Sequence, residues 1–270
     1  MLNVFGPNLA TTEGQQWQRH RKITAACFNE HNNGLVWSES IYQATGMLRH
    51  WSVKPTVNSV ADDVRTMSLH VLSSAGFGKS YPFRGTEQST TQDSSSYQES
   101  LKLILDNCIP LVALGPKNLN RWWLLGSWSK LYEATVTFRN YMTAVYEEEK
   151  EAIAHGQNRP TNLMTSLVRA SQTVTESDVD SIDKAASPQQ TGLTEQEIYG
   201  NIFVFNFAGH DTTANTLAFG IALIATRPDV QDWIAEEINI VFGTRDPVTS
   251  SYTESFPRLK RCLAVAVGKL

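Results

Sequence analysis

The sequence predicts a mainly α protein, and three observations carry that expectation. Apolar residues recur at three- and four-residue intervals through most of the chain, alternating strand patterns are nearly absent, and one long apolar stretch lies just past residue 194. The elements follow in order. Thr12 and Gln15 stand in capping-box spacing ahead of Trp17 and Arg21, which predicts a first helix with those two on one face. Trp37, Ile41, Ala44, Leu48 and Trp51 predict a second, and Val60, Val64, Met67, Val71 and Ala75 a third. Leu101, Ile104, Leu105 and Cys108 form a further stripe. Leu131, Ala134, Phe138, Tyr141 and Val145 form another, ending in the acidic run Glu147 to Glu149.

Two polar stretches, 85–100 and 171–192, are rich in Ser, Thr, Gln and Asp and are predicted as surface loops. Thr194 and Glu197 form a second capping box, opening a long helix that carries Ile198, Ile202, Phe205 and then Leu217 to Ile224 towards Pro228. A last clear helix opens at Pro228-Asp229 and stops at Gly243. No repeat and no linker divides the chain, so residues 1–270 read as one domain.

Composition narrows the function classes. The 270 residues are 41% hydrophobic and 19% charged with seven Trp, which is globular rather than disordered or fibrous. There are 23 basic against 27 acidic residues, and with the lysines and arginines scattered in ones and twos they give no nucleic-acid footprint. No window of 18 apolar residues occurs, so the sequence predicts no membrane anchor within this chain. Cys27, Cys108 and Cys262 lie far apart without a CxxC, so neither a disulfide framework nor a zinc site is expected, and the default compartment is a reducing one.

The long helix contains a local contradiction. Ala208-Gly209-His210-Asp211-Thr212-Thr213 is a polar island between apolar turns. Glycine inside a helix costs about 1 kcal/mol relative to alanine, and a carboxylate in an apolar stretch needs partners. Glycine removes a side chain where something must approach the backbone, and a threonine hydroxyl can bond back to the carbonyl four residues earlier. The island is therefore either a polar notch with a chemical role or a solvated face whose glycine permits close helix packing. A third reading takes His210-Asp211 as the metal-ligand pair of a metal phosphohydrolase, although the other histidines show no HxxxH or HExxH spacing.

At the other end, Trp17 and Arg21 place an indole N–H beside a guanidinium, two donors for one carboxylate. The plain alternative is a solvated basic face. Ser73 to Ser80 comes within one residue of a phosphate-binding GxxxxGK[ST] loop, but Ser73 replaces the first glycine and a helical stripe precedes it, so nucleotide binding is rejected.

Taken in order, these segments resemble the central part of a cytochrome P-450, a haem-thiolate monooxygenase of the eukaryotic microsomal type. Thr12-Glu13-Gly14 to Trp17 with Arg21-Lys22 resembles the family's helix C. Gly76-Phe77-Gly78 resembles the turn after helix E, and Ala208 to Thr213 resembles the [AG]Gx[DE]T[TS] signature of helix I. Arg227-Pro228, Trp233, Glu236-Glu237 and Phe256 to Val265 resemble helix J and the run into helix K.

The resemblance implies the middle of the cytochrome P-450 fold and a haem cofactor. It further implies an NADPH-dependent reductase as electron donor and a lipophilic small-molecule substrate; family members of this type sit at the endoplasmic reticulum membrane, while the location of this chain, which shows no anchor, is left unknown. It implies that Trp17 and Arg21 hold a haem propionate and that Ala208 and Gly209 line the face where oxygen binds. Thr212 would hydrogen-bond the bound oxygen and Asp211 would relay protons. Phe203 and Phe207 suit pocket lining or ordinary core packing equally.

The departures matter as much. The family's axial cysteine lies in an FxxGxxxCxG loop, and no cysteine here fits: His20, Leu101 and Ser255 stand seven residues before the three cysteines, and Asn29, Pro110 and Ala264 two after them. Gly268 stands where helix K should supply the glutamate of a Glu-xx-Arg pair. The expectation is a truncated copy that binds haem weakly or not at all and does not hydroxylate. The alternative is a non-catalytic helical pseudoenzyme that acts by binding partners.

Overall fold

In the computed structural model, the described residues are 2–85, 95–115, 126–157, 161–179 and 192–268. Among them there is no strand. The helices are α1 (Gly14–Cys27), α2 (Glu30–Ser52), α3 (Val60–Phe77), α4 (Ser95–Asp106), α5 (Cys108–Leu114), α6 (Gly126–Ala154), α7 (Leu163–Val179), α8 (Glu195–Ala225), α9 (Pro228–Phe242), α10 (Tyr252–Ser255) and α11 (Lys260–Ala266). Short 3-10 turns at Pro247–Thr249 and Phe256–Arg258 link the last three.

The chain divides into two compact units. The first holds residues 1–29, 75–79 and 90–208, with α4 and α7 packed on α6 and α1 packed on α7. Its core is aromatic. The Phe5 ring lies 5.4 Å from Phe138 and 5.2 Å from Phe203, and Phe77 lies 6.1 Å from Phe138. Phe203 is fully buried, so it is a core residue rather than a pocket wall. Here the N-terminal segment crosses α8 backbone to backbone: a Cβ on Gly200 would sit 2.3 Å from the Gly6 carbonyl oxygen. Asn201 locks the crossing by accepting the Leu9 N–H at 2.9 Å.

The second unit holds residues 30–74, 80–89 and 209–270, with α10 packed on α2 and α11 on α9. Glu237 of α9 accepts the backbone N–H groups of Arg261 and Cys262 at 2.9 to 3.0 Å and so caps α11. Its core gathers Met47, Val64 and Ala214. The buried edge of α2 is not the apolar stripe the sequence predicts. Leu48 is 60% exposed, while Glu39 and Gln43 are buried. Gln43 donates to the Glu39 carboxylate (2.7 Å) and the Tyr81 carbonyl (2.6 Å), which leaves its own carbonyl to accept from His70 Nδ1–H at 2.9 Å. Polar side chains that satisfy one another displaced the apolar stripe.

Two loop expectations need correction. Residues 95–100 belong to α4 and 171–179 to α7, while 86–94 and 180–191 lie outside the described residues. In α7 the buried residues Met164, Leu167, Val168 and Ser171 repeat at helical spacing, and packing on α1 and α6 overrides the polar composition that follows.

Candidate functional site

The N-terminal candidate pair sits in the first unit. α1 starts at Gly14, whose φ of +57° suits glycine, and no side-chain hydrogen bond caps it at Glu13. At Thr12 both the backbone N–H (3.1 Å) and the hydroxyl (3.0 Å) donate to the Asn8 carbonyl. Trp17 and Arg21 nonetheless share a face, with the Arg21 guanidinium carbon 5.2 Å from the centre of the Trp17 ring. Among the described residues neither the indole N–H nor that guanidinium donates to the protein, and both side chains are exposed. Two adjacent donors are thus open to an anion.

Between them, Arg19 and His20 are engaged. The Glu197 carboxylate accepts from both terminal nitrogens of Arg19, one at 3.1 Å, from His20 Nε2 at 3.3 Å, and from the backbone N–H (2.8 Å) and hydroxyl (3.1 Å) of Thr194. The Thr194–Glu197 capping box is therefore present and doubly used. Burial alone would raise the Glu197 pKa, but hydrogen bonds from His20, Arg19 and Thr194 outweigh it and bring it to about 2. Asn201 donates to the Glu197 carbonyl (2.7 Å) and to His20 Nδ1 (3.0 Å), which fixes the imidazole with its proton on Nε2.

Of the polar island, Ala208 belongs to the first unit and Gly209 onward to the second. A Cβ on Gly209 would lie 3.1 Å from Leu72 Cδ2 of α3, so this glycine has a packing neighbour as well as a candidate role. His210 is buried at 2% exposure, with Nδ1 3.5 Å from Asp211 Oδ1. Asp211 is half exposed, and its Oδ1 lies 3.5 Å from Arg65 Nε, a charge contact rather than a close hydrogen bond. Arg65 also faces Asp62 at 3.7 Å. Thr212 is exposed, and its carbonyl accepts from the Thr216 hydroxyl at 2.8 Å. Arg65 was not singled out from the sequence, and Glu197 only as a cap: both also act on partners more than 140 positions away, which no local pattern reports.

The cysteines are placed as ordinary thiols. Cys27 is 1% exposed, donates to the Ile23 carbonyl at 3.5 Å, and burial pushes its pKa up to about 12. Burial and the Glu237 carboxylate push Cys262 up to about 11. Among the described residues no group of three or more His, Cys, Asp or Glu could hold a metal ion.

The family model for cytochrome P450 matches residues 3–264. The chain belongs to the cytochrome P450 family. A cytochrome P450 monooxygenase of Arthrobotrys oligospora is 28% identical over 274 residues, covering 96% of this chain and 46% of that protein. Cytochrome P450 monooxygenase 124 of Postia placenta is 30% identical over 281 residues, covering all of this chain and 49% of its own length. The solved structure of a zebrafish cytochrome P450 with progesterone superposes with a TM-score of 0.69 at 16% identity, over 98% of this chain and 56% of that one. The chain thus spans about half the length of the curated P450s it matches, and its fold is that of the family's helical part.

Family membership implies haem. The residues present fit one end of that group and not the other. Trp17 and Arg21 offer open donors to a propionate. Burial raises the pKa of both Cys27 and Cys262, so neither is poised as an axial thiolate, the ligand for which P450s are the standard example.

Proposed function

We propose that this chain is the oxygen-facing part of a haem-thiolate monooxygenase, of the kind that inserts one oxygen atom into a lipophilic small molecule with electrons from an NADPH-dependent reductase. The observation that supports it most is the polar island of α8, where Asp211 and Thr212 interrupt an otherwise apolar helix. The haem would supply the oxygen chemistry when bound. In this reading Trp17 and Arg21 bind and orient a propionate. Ala208 and Gly209 leave the helix backbone open to close approach. The Thr212 hydroxyl donates a hydrogen bond towards that opening, and the Asp211 carboxyl, held near α3 by Arg65, carries a proton to it.

The same reading makes this chain by itself inactive, because it brings no thiolate to the iron. In the longer protein, the endoplasmic reticulum membrane is the proposed location. Among the described residues no helix is long and apolar enough to cross a membrane. The test is the optical spectrum of the chain after addition of haem, reduction and carbon monoxide. A free-haem spectrum is expected. A thiolate-type Soret band would show that one of Cys27, Cys108 and Cys262 completes the site, and would sink the inactive reading.

A further inference from the structure

The Trp17–Arg21 pair projects from the exposed side of α1. All five residues from Gly14 to Gln18 are exposed, and α1 has no side-chain N-cap. The buried edge of the helix begins at His20 and continues through Ile23, Thr24 and Cys27. The turn between Trp17 and Arg21 is therefore held by Arg19 and His20, and both end on Glu197. Arg19 also reaches the Gly192 carbonyl at 2.5 Å. Glu197 does not swing freely, because Thr194 grips its other oxygen from within the capping box and its own backbone continues α8. Five donors on one buried carboxylate fix direction as well as distance.

We infer that Glu197 is the positioning residue for the Trp17–Arg21 pair: from the first turn of α8 it sets the turn of α1 from which both side chains project, and so sets the chain's preference for a porphyrin with free propionates. This rests on the reading of Trp17 and Arg21 as propionate-holding residues. Glu197 itself touches no ligand and acts only through α1. The alternative is that Glu197 merely stabilises the first unit, as the buried Glu149 does through Arg169, which it meets at 2.7 Å between α6 and α7.

Metal-free protoporphyrin IX and its dimethyl ester separate these, since without iron no axial ligand is needed. Binding of each to the full chain is followed by quenching of tryptophan emission. The free acid should bind about tenfold more tightly than the ester, the scale of one charge-assisted hydrogen bond. Arg21→Leu should abolish that preference, and Glu197→Gln should reduce it to within about twofold. Glu149→Gln should leave it intact. A preference lost in Arg21→Leu but kept in Glu197→Gln overturns the inference and leaves the propionate reading standing. Loss in Glu149→Gln as well shows a general stability effect and also overturns it. No binding or no preference in the unaltered chain overturns the propionate reading and the inference with it. Should Glu197→Gln fail to fold by circular dichroism, Arg19→Leu, which leaves the capping box intact, takes its place with the same outcomes.

Discussion

Two glycines of α8 lie nine residues apart and should respond to the same substitution to very different degrees. At Gly209, alanine gains about 1 kcal/mol of helix propensity. Against this, its Cβ would lie 3.1, 3.7 and 3.9 Å from Leu72 Cδ2, Cδ1 and Cγ. Leu72 is half-buried and meets the new methyl with its side-chain end, so a small rotamer shift of about 0.5–1.5 kcal/mol relieves the contact. Gly209→Ala should therefore change stability by less than about 1 kcal/mol in either direction.

Gly200→Ala has no such escape, because its Cβ would lie 2.3 Å from the Gly6 oxygen and 2.5 Å from the Pro7 oxygen, both backbone. Lifting that segment exposes Phe5, now 2% exposed, and breaks the Leu9–Asn201 hydrogen bond. The two losses sum to about 3–4 kcal/mol and are offset by about 1 from propensity. Urea unfolding of the full chain followed by circular dichroism measures both variants. A loss above about 2 kcal/mol in Gly209→Ala would refute the reasoning, because close packing on α3 would then demand glycine and the notch would need no chemical reason for it.

Three further outcomes follow from named groups. Glu197 has its pKa depressed from 4.5 to about 2, so its contribution of about 3 kcal/mol is present above pH 4.5 and disappears as pH falls through about 2. The stability difference between the unaltered chain and Glu197→Gln, measured by urea unfolding, should shrink across that window, and a constant difference would contradict it. Cys27 and Cys262 should react with Ellman's reagent at pH 8 about a thousandfold and a hundredfold more slowly than in urea, from pKa values raised from 9.0 to about 12 and about 11. Equal rates would show a thiolate the structure does not contain. Glu237→Ala should speed hydrogen exchange at the Arg261 and Cys262 amides at least about tenfold by removing the cap of α11, and unchanged protection would deny that role.

What the sequence reveals depends on how near the partners lie. α8 and α9 were legible because their signals are local: Thr194 meets Glu197 three positions on, and α9 opens at Pro228 and ends at Gly243 with φ +59°. The pairing of Trp17 with Arg21 was legible for the same reason, one helical turn apart. The buried edge of α2 was not, because Glu39 and Gln43 become inside residues only through Ser80, Tyr81 and His70, 27 to 41 positions away. Hydrophobic spacing treats such residues as solvated. The second role of Glu197 fails on the same ground, with its capping role visible and its hold on Arg19 178 positions distant. Gly6 and Gly200 show the limit for backbone crossings, since neither carries a side chain for a pattern to detect.

The polar island lies where α8 changes character, and this bears on what Asp211 and Thr212 can do. Before it, Ile198, Tyr199, Ile202, Phe203 and Val204 are all buried. After it, Phe219 is 73% and Leu223 67% exposed, in a helix whose apolar residues face all round. A helix of that kind belongs inside a core, and each such side chain leaves about 2 kcal/mol of burial unrealised while it faces water. Thr212 and half of the Asp211 carboxylate share that exposure. Directed proton delivery needs a dry surrounding, in which charges are screened little and competing water is absent. The monooxygenase reading therefore requires more than a thiolate. It requires surface that covers the second half of α8, without which an axial ligand alone would not make Asp211 and Thr212 a directed proton path.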